Sequence, residues 1–313
     1  IKSGQDAGEY ITSKLKKPQD LEYEKVFWPF IIFSKKRYVG NKYEFSDKKF
    51  KQTSMGIVLK RRDNAPIVKK VYGEIIDYIL NKRDIEGSKK YFEQSVRDLL
   101  KGKVDIQDLI ISKSLRANYA NPTLIPHKVL ADRMGERDPG NKPQSNERVQ
   151  YCYIDESNIK CTICKCKVKP YNCKCINCMQ FFCVHHIKNH KKLCYNVCRF
   201  CKKRTGIKRC NTCFGHYCPG CFDLHMTRKD KYKRIHKDKC KKPLSTKLIQ
   251  GDIVENPKYI VENKLKIDYK YYLEHQIENP VTQIFELVMK DPKSLIRESL
   301  RKFDNKKSGN RVI

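Results

Sequence analysis

Apolar positions along the chain follow two periods, helical and extended, in an order that predicts an α+β, multidomain protein. Ala7, Tyr10, Ile11 and Leu15 recur at helical spacing and predict a helix over residues 1–16. Residues 21–33 form one strand region, and its unbroken apolar run from Val26 to Phe33 reads as a buried strand. Residues 35–44 continue it as an extended edge, in which Tyr38 and Tyr43 suit a strand. Alternation along that edge sets Lys36 and Tyr38 on one face and Lys35 and Arg37 on the other. A wide stripe of Ile67, Val68, Val71, Tyr72, Ile75, Ile76, Ile79 and Leu80 predicts a helix with Pro66 in its first turn, capped by Asp63 or Asn64. A second helix is predicted over residues 85–101, ended by Gly102.

Further along, residues 109–112 read as a short strand, residues 125–136 as a helix opening at Pro126, and residues 137–143 as a turn-rich loop. Residues 148–154 read as another strand. Asp268 caps a helix carrying Tyr272, Leu273, Gln276 and Ile277, which Pro280 is expected to break. One more helix carries Ile284, Phe285 and Val288, and a last one runs from Pro292 to about Phe303, before a polar tail expected to be mobile.

Between residues 155 and 244 this periodicity gives way to cysteine and histidine pairs. Two repeats stand out. The first pairs Cys161 with Cys164, Cys175 with Cys178, Cys183 with His186, and His190 with Cys194. The second pairs Cys198 with Cys201, Cys210 with Cys213, Cys218 with Cys221, and His236 with Cys240. Pairs separated by two residues let a tight turn aim two ligands at one tetrahedral ion. If alternate pairs share a metal, as in RING-like cross-brace folds, Cys161, Cys164, Cys183 and His186 make one site, and Cys175, Cys178, His190 and Cys194 the next. The second repeat then gives Cys198, Cys201, Cys218 and Cys221, followed by Cys210, Cys213, His236 and Cys240. Cys152, Cys166, Cys173, His185, His216 and His225 are left over; His225 is an alternative to His236, and His185 to His186. About four zinc ions are expected, all with full coordination spheres and therefore structural.

Composition narrows the partners. The chain has 313 residues, with 67 Lys and Arg against 35 Asp and Glu, a formal net charge of +32. A protein this basic needs a polyanion, and nucleic acid is the first choice. Residues 155–244 hold 23 Lys and Arg against 5 Asp and Glu. Four thiolate-bound zinc sites would still leave that stretch at roughly +13. No apolar run reaches the length of a spanning helix, so no membrane partner is expected. All 16 cysteines lie between Cys152 and Cys240, with histidines among them, which favours metal in a reducing, intracellular compartment over a disulfide framework.

Several stretches resemble the late palm and early thumb of family B DNA polymerases, especially the delta-like subgroup. They are Leu21-Glu22-Tyr23-Glu24-Lys25-Val26, Lys35-Lys36-Arg37-Tyr38-Val39-Gly40, Met55-Gly56 and Arg61-Arg62-Asp63-Asn64-Ala65-Pro66. The resemblance resumes at residues 105–113 and 131–140, and again at Gly251-Asp252-Ile253-Val254-Glu255-Asn256-Pro257 and residues 267–273, where it is most like polymerases of large nucleocytoplasmic DNA viruses. In order, it covers roughly two thirds of the chain. It implies the end of a palm over residues 1–53, thumb over 54–154 and 245–313, and an inserted zinc-binding module over 155–244.

The function so implied is the C-terminal portion of a DNA-directed DNA polymerase that grips primer–template DNA. The palm's magnesium-binding aspartates would belong to an upstream portion, a fragment boundary or a split polypeptide, so this chain is expected to be inactive alone. Glu24 resembles an acidic neighbour of the metal site, and is equally a solvated strand carboxylate. By resemblance Lys36 reaches the minor groove near the primer end and Tyr38 supports the primer strand, with Lys35, Arg37, Arg61 and Arg62 as further DNA contacts. A viral factory, or the nucleus or cytoplasm of an infected cell, is the implied location. The alternative is a zinc-dependent module that docks nucleic acid or protein, with RING-like ubiquitin ligase activity as its minor form.

Overall fold

The computed structural model describes residues 1–168, 174–175, 178, 180–194, 208–209, 216–227 and 248–309. The chain divides into two compact units, one of residues 1–112 with 269–313 and one of residues 113–268.

In the first unit, helix α1 (Lys2–Lys14) precedes a three-stranded antiparallel meander of β1 (Val26–Ser34), β2 (Arg37–Tyr43) and β3 (Lys51–Met55). The extended edge expected over residues 35–44 is a hairpin instead. Ser34 pairs with Arg37, so Lys35 and Lys36 form a two-residue turn, and Lys36 takes a left-handed conformation at φ 61°. The strand alternation predicted across Lys35–Tyr38 therefore fails at the turn itself. The strand over Val26–Phe33 forms, but it is not buried as expected. Val26, Trp28, Phe30 and Ile32 are all exposed, although Phe30 and Ile32 still line a pocket with Ile79, Ile284, Leu287 and Val288 and the Phe30 ring lies 5.5 Å from that of Tyr38.

α2 (Pro66–Asp77) begins with Pro66 in its first turn, yet neither Asp63 nor Asn64 caps it; Ala65 holds the cap position without a side-chain bond. A proline at the first position has no N–H to leave unpaired, which reduces the need for a cap. The stripe Ile67, Val68, Val71, Tyr72, Ile75 and Ile76 is buried, and it continues to Leu80 through a π-turn over Tyr78–Lys82. Asp84 caps α3 (Ile85–Leu100) by accepting from the Gly87 amide at 2.7 Å, and Gly102 follows at φ 70°. The strand expected over residues 109–112 divides at Leu109. A short helix, α4 (Ile106–Leu109), is capped by Asp105, and β4 runs over Ile111–Ser114.

In the second unit, α5 (Pro126–Arg137) precedes β5 (Arg148–Tyr153), close to the expected bounds. The cysteine-rich stretch contributes α6 (Val184–Cys194), a two-stranded ribbon of β6 (Lys208–Arg209) and β7 (His216–Tyr217), and α7 (Pro219–Thr227). β8 (Val254–Glu255) then completes a sheet in the order β4-β5-β8, and α8 (Pro257–Glu262) follows. Leu130 and Ala131 of α5 are buried, as are Val149, Tyr151 and Val254 of the sheet.

The chain then returns to the first unit with α9 (Tyr269–Tyr272), a π-turn over Leu273–Ile277, α10 (Glu278–Phe285) and α11 (Pro292–Gly309). Pro280 does not break the helix. It lies in the first turn of α10 just after the π-turn, whose wider bonding pattern absorbs the missing donor. Helix also continues through Asp304–Gly309 of the expected tail. Tyr72, Ile75, Phe92, Leu99, Tyr272, Ile284 and Phe285 are almost fully buried in this unit, and the Tyr272 hydroxyl donates to the Leu109 carbonyl at 2.7 Å. Each such side chain contributes roughly 1.5–3 kcal/mol of burial free energy.

Candidate nucleic-acid interface and metal centres

The basic residues near residue 36 sit on two adjoining segments. Lys35 and Lys36 are exposed at the hairpin turn. A positive φ at the second loop residue is the position a type II turn normally gives to glycine or asparagine. The turn is tightly backed: a Cβ on Gly56 would stand 2.3 Å from the Lys36 carbonyl oxygen and 3.1 Å from Arg37 Cγ. Gly56 itself has φ 64°. From there the chain passes through the buried Ile57 and a single 3-10 turn, Val58–Lys60, to the exposed Arg61 and Arg62. Arg61 reaches Asp63 at 3.8 Å.

Arg37 and Tyr38 are placed differently. The Arg37 guanidinium donates to Gln283 Oε1 at 2.7 Å, which ties β2 to α10. Tyr38 packs its ring against Phe27 and Phe30 at 5.8 and 5.5 Å. Glu24 precedes β1, is exposed and pairs with the adjacent Lys25. Gly56 is the residue that residue-by-residue reading missed as a shaping element. Its signal in the sequence was its place in the Met55-Gly56 stretch of the resemblance.

In the second unit the first cysteine repeat gathers into two quartets. The ligand atoms of Cys161, Cys164, Cys183 and His186 lie within 4.8 Å of one another, and so do those of Cys175, Cys178, His190 and Cys194. A tetrahedral zinc with Zn–S bonds of about 2.3 Å separates its sulfurs by about 3.8 Å. Cys164 and Cys183 are 3.8 Å apart, as are Cys175 and Cys194. His186 turns Nδ1 toward Cys183 at 3.2 Å and Cys161 at 3.6 Å, while His190 turns Nε2 toward Cys178 at 3.2 Å. The donor set and spacing fit zinc.

α6 explains the interleaving. Cys183 precedes it and Cys194 ends it, while His186 and His190 stand one turn apart and serve different quartets. Local amides prepare the sulfurs. Burial pushes the Cys161 thiol up, but backbone N–H groups of Cys183, Cys164 and Ile163 outweigh that and bring it down to about 6. Cys183 is lowered in the same way by the amides of His186 and His185 against its own burial. Cys166, set aside as a leftover, lies 3.1 Å from Cys164 Sγ, and that thiol contact is the largest cause raising it to about 12.

Of the second repeat, Cys218 and Cys221 are described; Cys198, Cys201, Cys210, Cys213, His236 and Cys240 lie outside the described residues. The described parts echo the first repeat. Lys174 bridges Phe181 just before Cys183 and α6, and Arg209 pairs with His216 just before Cys218 and α7. Lys174 also anchors the stretch: its ammonium meets Asp252 Oδ1 at 2.6 Å with both side chains almost fully buried. Asp252 Oδ2 accepts the Ile249 amide at 3.0 Å.

The motifs at residues 131–140 and 251–257 meet at a buried carboxylate. Glu255 is buried and accepts both guanidinium arms of Arg137 at 3.1 and 2.8 Å. Arg137 stacks on Tyr259 at 3.8 Å, and Arg133 approaches Glu255 at 3.5 Å. Burial lowers the Arg133 pKa, and Glu255 raises it in part. This bidentate cluster ties α5 to β8 and α8.

Comparison with known proteins follows the same lines. The family described as DNA polymerase family B matches residues 1–288. A DNA polymerase of Pyramimonas orientalis virus is 38% identical over 90% of this chain and 16% of its own length. One from Acanthamoeba polyphaga mimivirus is 37% identical over 97% of this chain and 13% of its own. The DNA polymerase delta catalytic subunit of Candida albicans is 35% identical over 49% of this chain and 15% of its own. The chain thus spans about a sixth or less of the length of these relatives.

Proposed function

The chain belongs to DNA polymerase family B, and from that premise we propose that it is the part of a DNA-directed DNA polymerase that grips primer–template duplex behind the reacting end. The observation that carries this is the Lys35–Lys36 turn. A lysine occupies a left-handed turn position that costs least with glycine, and it leaves two ammonium groups exposed at the hairpin's end. Arg61 and Arg62 add charge on the segment that leaves Gly56. A lysine donor in the minor groove meets the acceptors that every correct pair presents there, so it senses pair geometry without reading sequence. Tyr38 and Arg37 brace this edge, since the ring packs on Phe27 and Phe30 and the guanidinium is held by Gln283.

In this reading the end of the palm lies over residues 1–53, thumb over 54–154 and 245–313, and a zinc-binding module over 155–244. Zinc in the cysteine quartets is a structural cross-link, because four protein ligands fill each coordination sphere. Further quartets of the second repeat bring the expected total to about four. Magnesium serves nucleotidyl transfer in the whole enzyme, but the described residues do not assemble a site for it. Glu24, which resembles an acidic neighbour of that site, is exposed and pairs with Lys25. No helix among the described residues is long and apolar enough to cross a membrane. The partners are primer–template DNA and the rest of the polymerase, at an intracellular site of replication.

The test is equilibrium binding to short primer–templates that differ only in the terminal pair. Lys36→Ala is expected to weaken all of them alike. A loss that depends strongly on the terminal pair's identity contradicts a geometry sensor.

A further inference from the structure

At the other end of the β2–β3 hairpin, residues 44–50 form a loop of unusual composition. Phe45 is 98% exposed, and Phe50 is 52% exposed with its ring 5.7 Å from that of Tyr43. Single exposed apolar residues are ordinary on protein surfaces. Here, however, an almost wholly solvated phenyl ring stands among four lysines, Lys42, Lys48, Lys49 and Lys51, set against two acids, Glu44 and the exposed Asp47. Lys42 and Lys51 are direct cross-strand partners at the base of the loop, an arrangement of like charges that is unfavourable by itself. Glu44 offsets it only in part: it accepts from Lys42 at 2.6 Å, and that bond holds its carboxyl below the usual range. Lys48 and Lys49 are exposed and make no ion pair among the described residues.

An aromatic face next to free ammonium groups matches a single-stranded nucleic acid, which offers both a π-face and phosphates. A protein partner would answer the ring but leave the lysines unexplained unless it were also acidic. Lys48 and Phe45 are three residues apart, so their Cα atoms are within about 11 Å even in a fully extended loop. Phosphates flanking a base on Phe45 are therefore within reach of Lys48 and Lys49. We propose that this loop is a second nucleic-acid contact, in which an unpaired base stacks on Phe45 while Lys48 and Lys49 hold the adjoining backbone. The inference rests on the duplex-gripping reading and adds to it a contact with the unpaired strand, at the far end of a hairpin from Lys36.

The experiment compares binding of the full chain, by fluorescence anisotropy, to a blunt duplex, the same duplex with a single-stranded overhang, and one with an abasic overhang. Phe45→Ala is expected to weaken overhang binding at least roughly 5-fold, the lower end for one stacked base, without changing the salt slope. Phe45→Trp is expected to restore it, Phe45→Leu is not, and the abasic overhang should be insensitive to all three. Lys48→Ala with Lys49→Ala should flatten the overhang slope by roughly 1.4. The ring's exposure means that none of these substitutions disturbs packing. Normal duplex binding with an overhang indifferent to Phe45, or full rescue by leucine, overturns this contact alone and favours a protein partner. Failure of the parent chain to bind any duplex overturns the duplex-gripping reading and this contact with it.

Discussion

Replacing Gly56 by alanine probes the link between the backbone of β3 and the basic turn. Two costs add. A residue with a side chain at φ 64° pays roughly 1–2 kcal/mol for left-handed geometry. The new methyl also falls 2.3 Å from the Lys36 carbonyl oxygen, which must retreat by most of an ångström for an ordinary contact. That movement passes directly to Lys36, whose own φ of 61° leaves the turn little room to adjust. Gly56→Ala is therefore expected to lower unfolding free energy by about 1–3 kcal/mol. Its duplex affinity should fall in the same sense as that of Lys36→Ala, with far-ultraviolet circular dichroism unchanged. Gly73→Ala is the matched control. A Cβ there meets only Leu59 at 3.5 Å inside α2, so it should stabilise the protein by about 0.4–1 kcal/mol and leave binding unaltered. Urea denaturation and anisotropy titration measure both. A Gly56→Ala protein with parent stability and parent affinity would refute the idea that this glycine shapes the turn.

Metal analysis of purified protein should give about four zinc ions per chain; two or fewer would remove the second repeat from the account. Chelation should unfold residues 155–244 while the helices of the first unit persist, since these have their own apolar stripes. Asp252→Ala strands the buried Lys174 ammonium and should cost roughly 3–5 kcal/mol, whereas Lys174→Met with Asp252→Leu should recover most of it; equal losses would contradict a buried pair. Burial raises the Tyr72 hydroxyl to about 12, so its stabilisation is intact below pH 10 and is lost as pH rises from 10 toward 12. Tyr72→Phe should abolish that part of alkaline unfolding, about 2–3 kcal/mol at most, and identical pH profiles for parent and variant would refute it.

Local pattern disclosed the elements whose formation depends on near neighbours. The stripe from Ile67 to Leu80, Gly102 as a helix end and Pro126 as a helix start were all legible because periodicity and end chemistry act within a turn or two. The two-residue turn at Lys35–Lys36 was not. Its sequence lacks the glycine or asparagine that announces a left-handed position, and the glycine that makes room for it, Gly56, lies across the hairpin. Pro280 misled for a related reason, because a π-turn cannot be read from propensity. In the first cysteine repeat, spacing named the residues that gather into two quartets able to hold a metal, but Cys166 against Cys164 is a matter of how the loop folds back. The pairing of Arg133 and Arg137 with the buried Glu255 joins residues more than one hundred apart in the chain, which no local pattern reports.

The salt dependence of duplex binding tests the central claim most directly. Each phosphate neutralised on duplex DNA contributes about 0.9 to the slope of log affinity against log salt. The parent chain should bind with a steep slope. Arg61→Ala with Arg62→Ala should flatten it by about two, with a nearly uniform loss across sequences. Deleting residues 155–244 behind a short linker distinguishes a module that tracks the duplex, which flattens the slope by several more, from one that docks protein, which leaves it unchanged. A parent slope that the arginine pair does not alter would contradict the account, since the basic segment behind the Lys35–Lys36 turn would then not face the duplex.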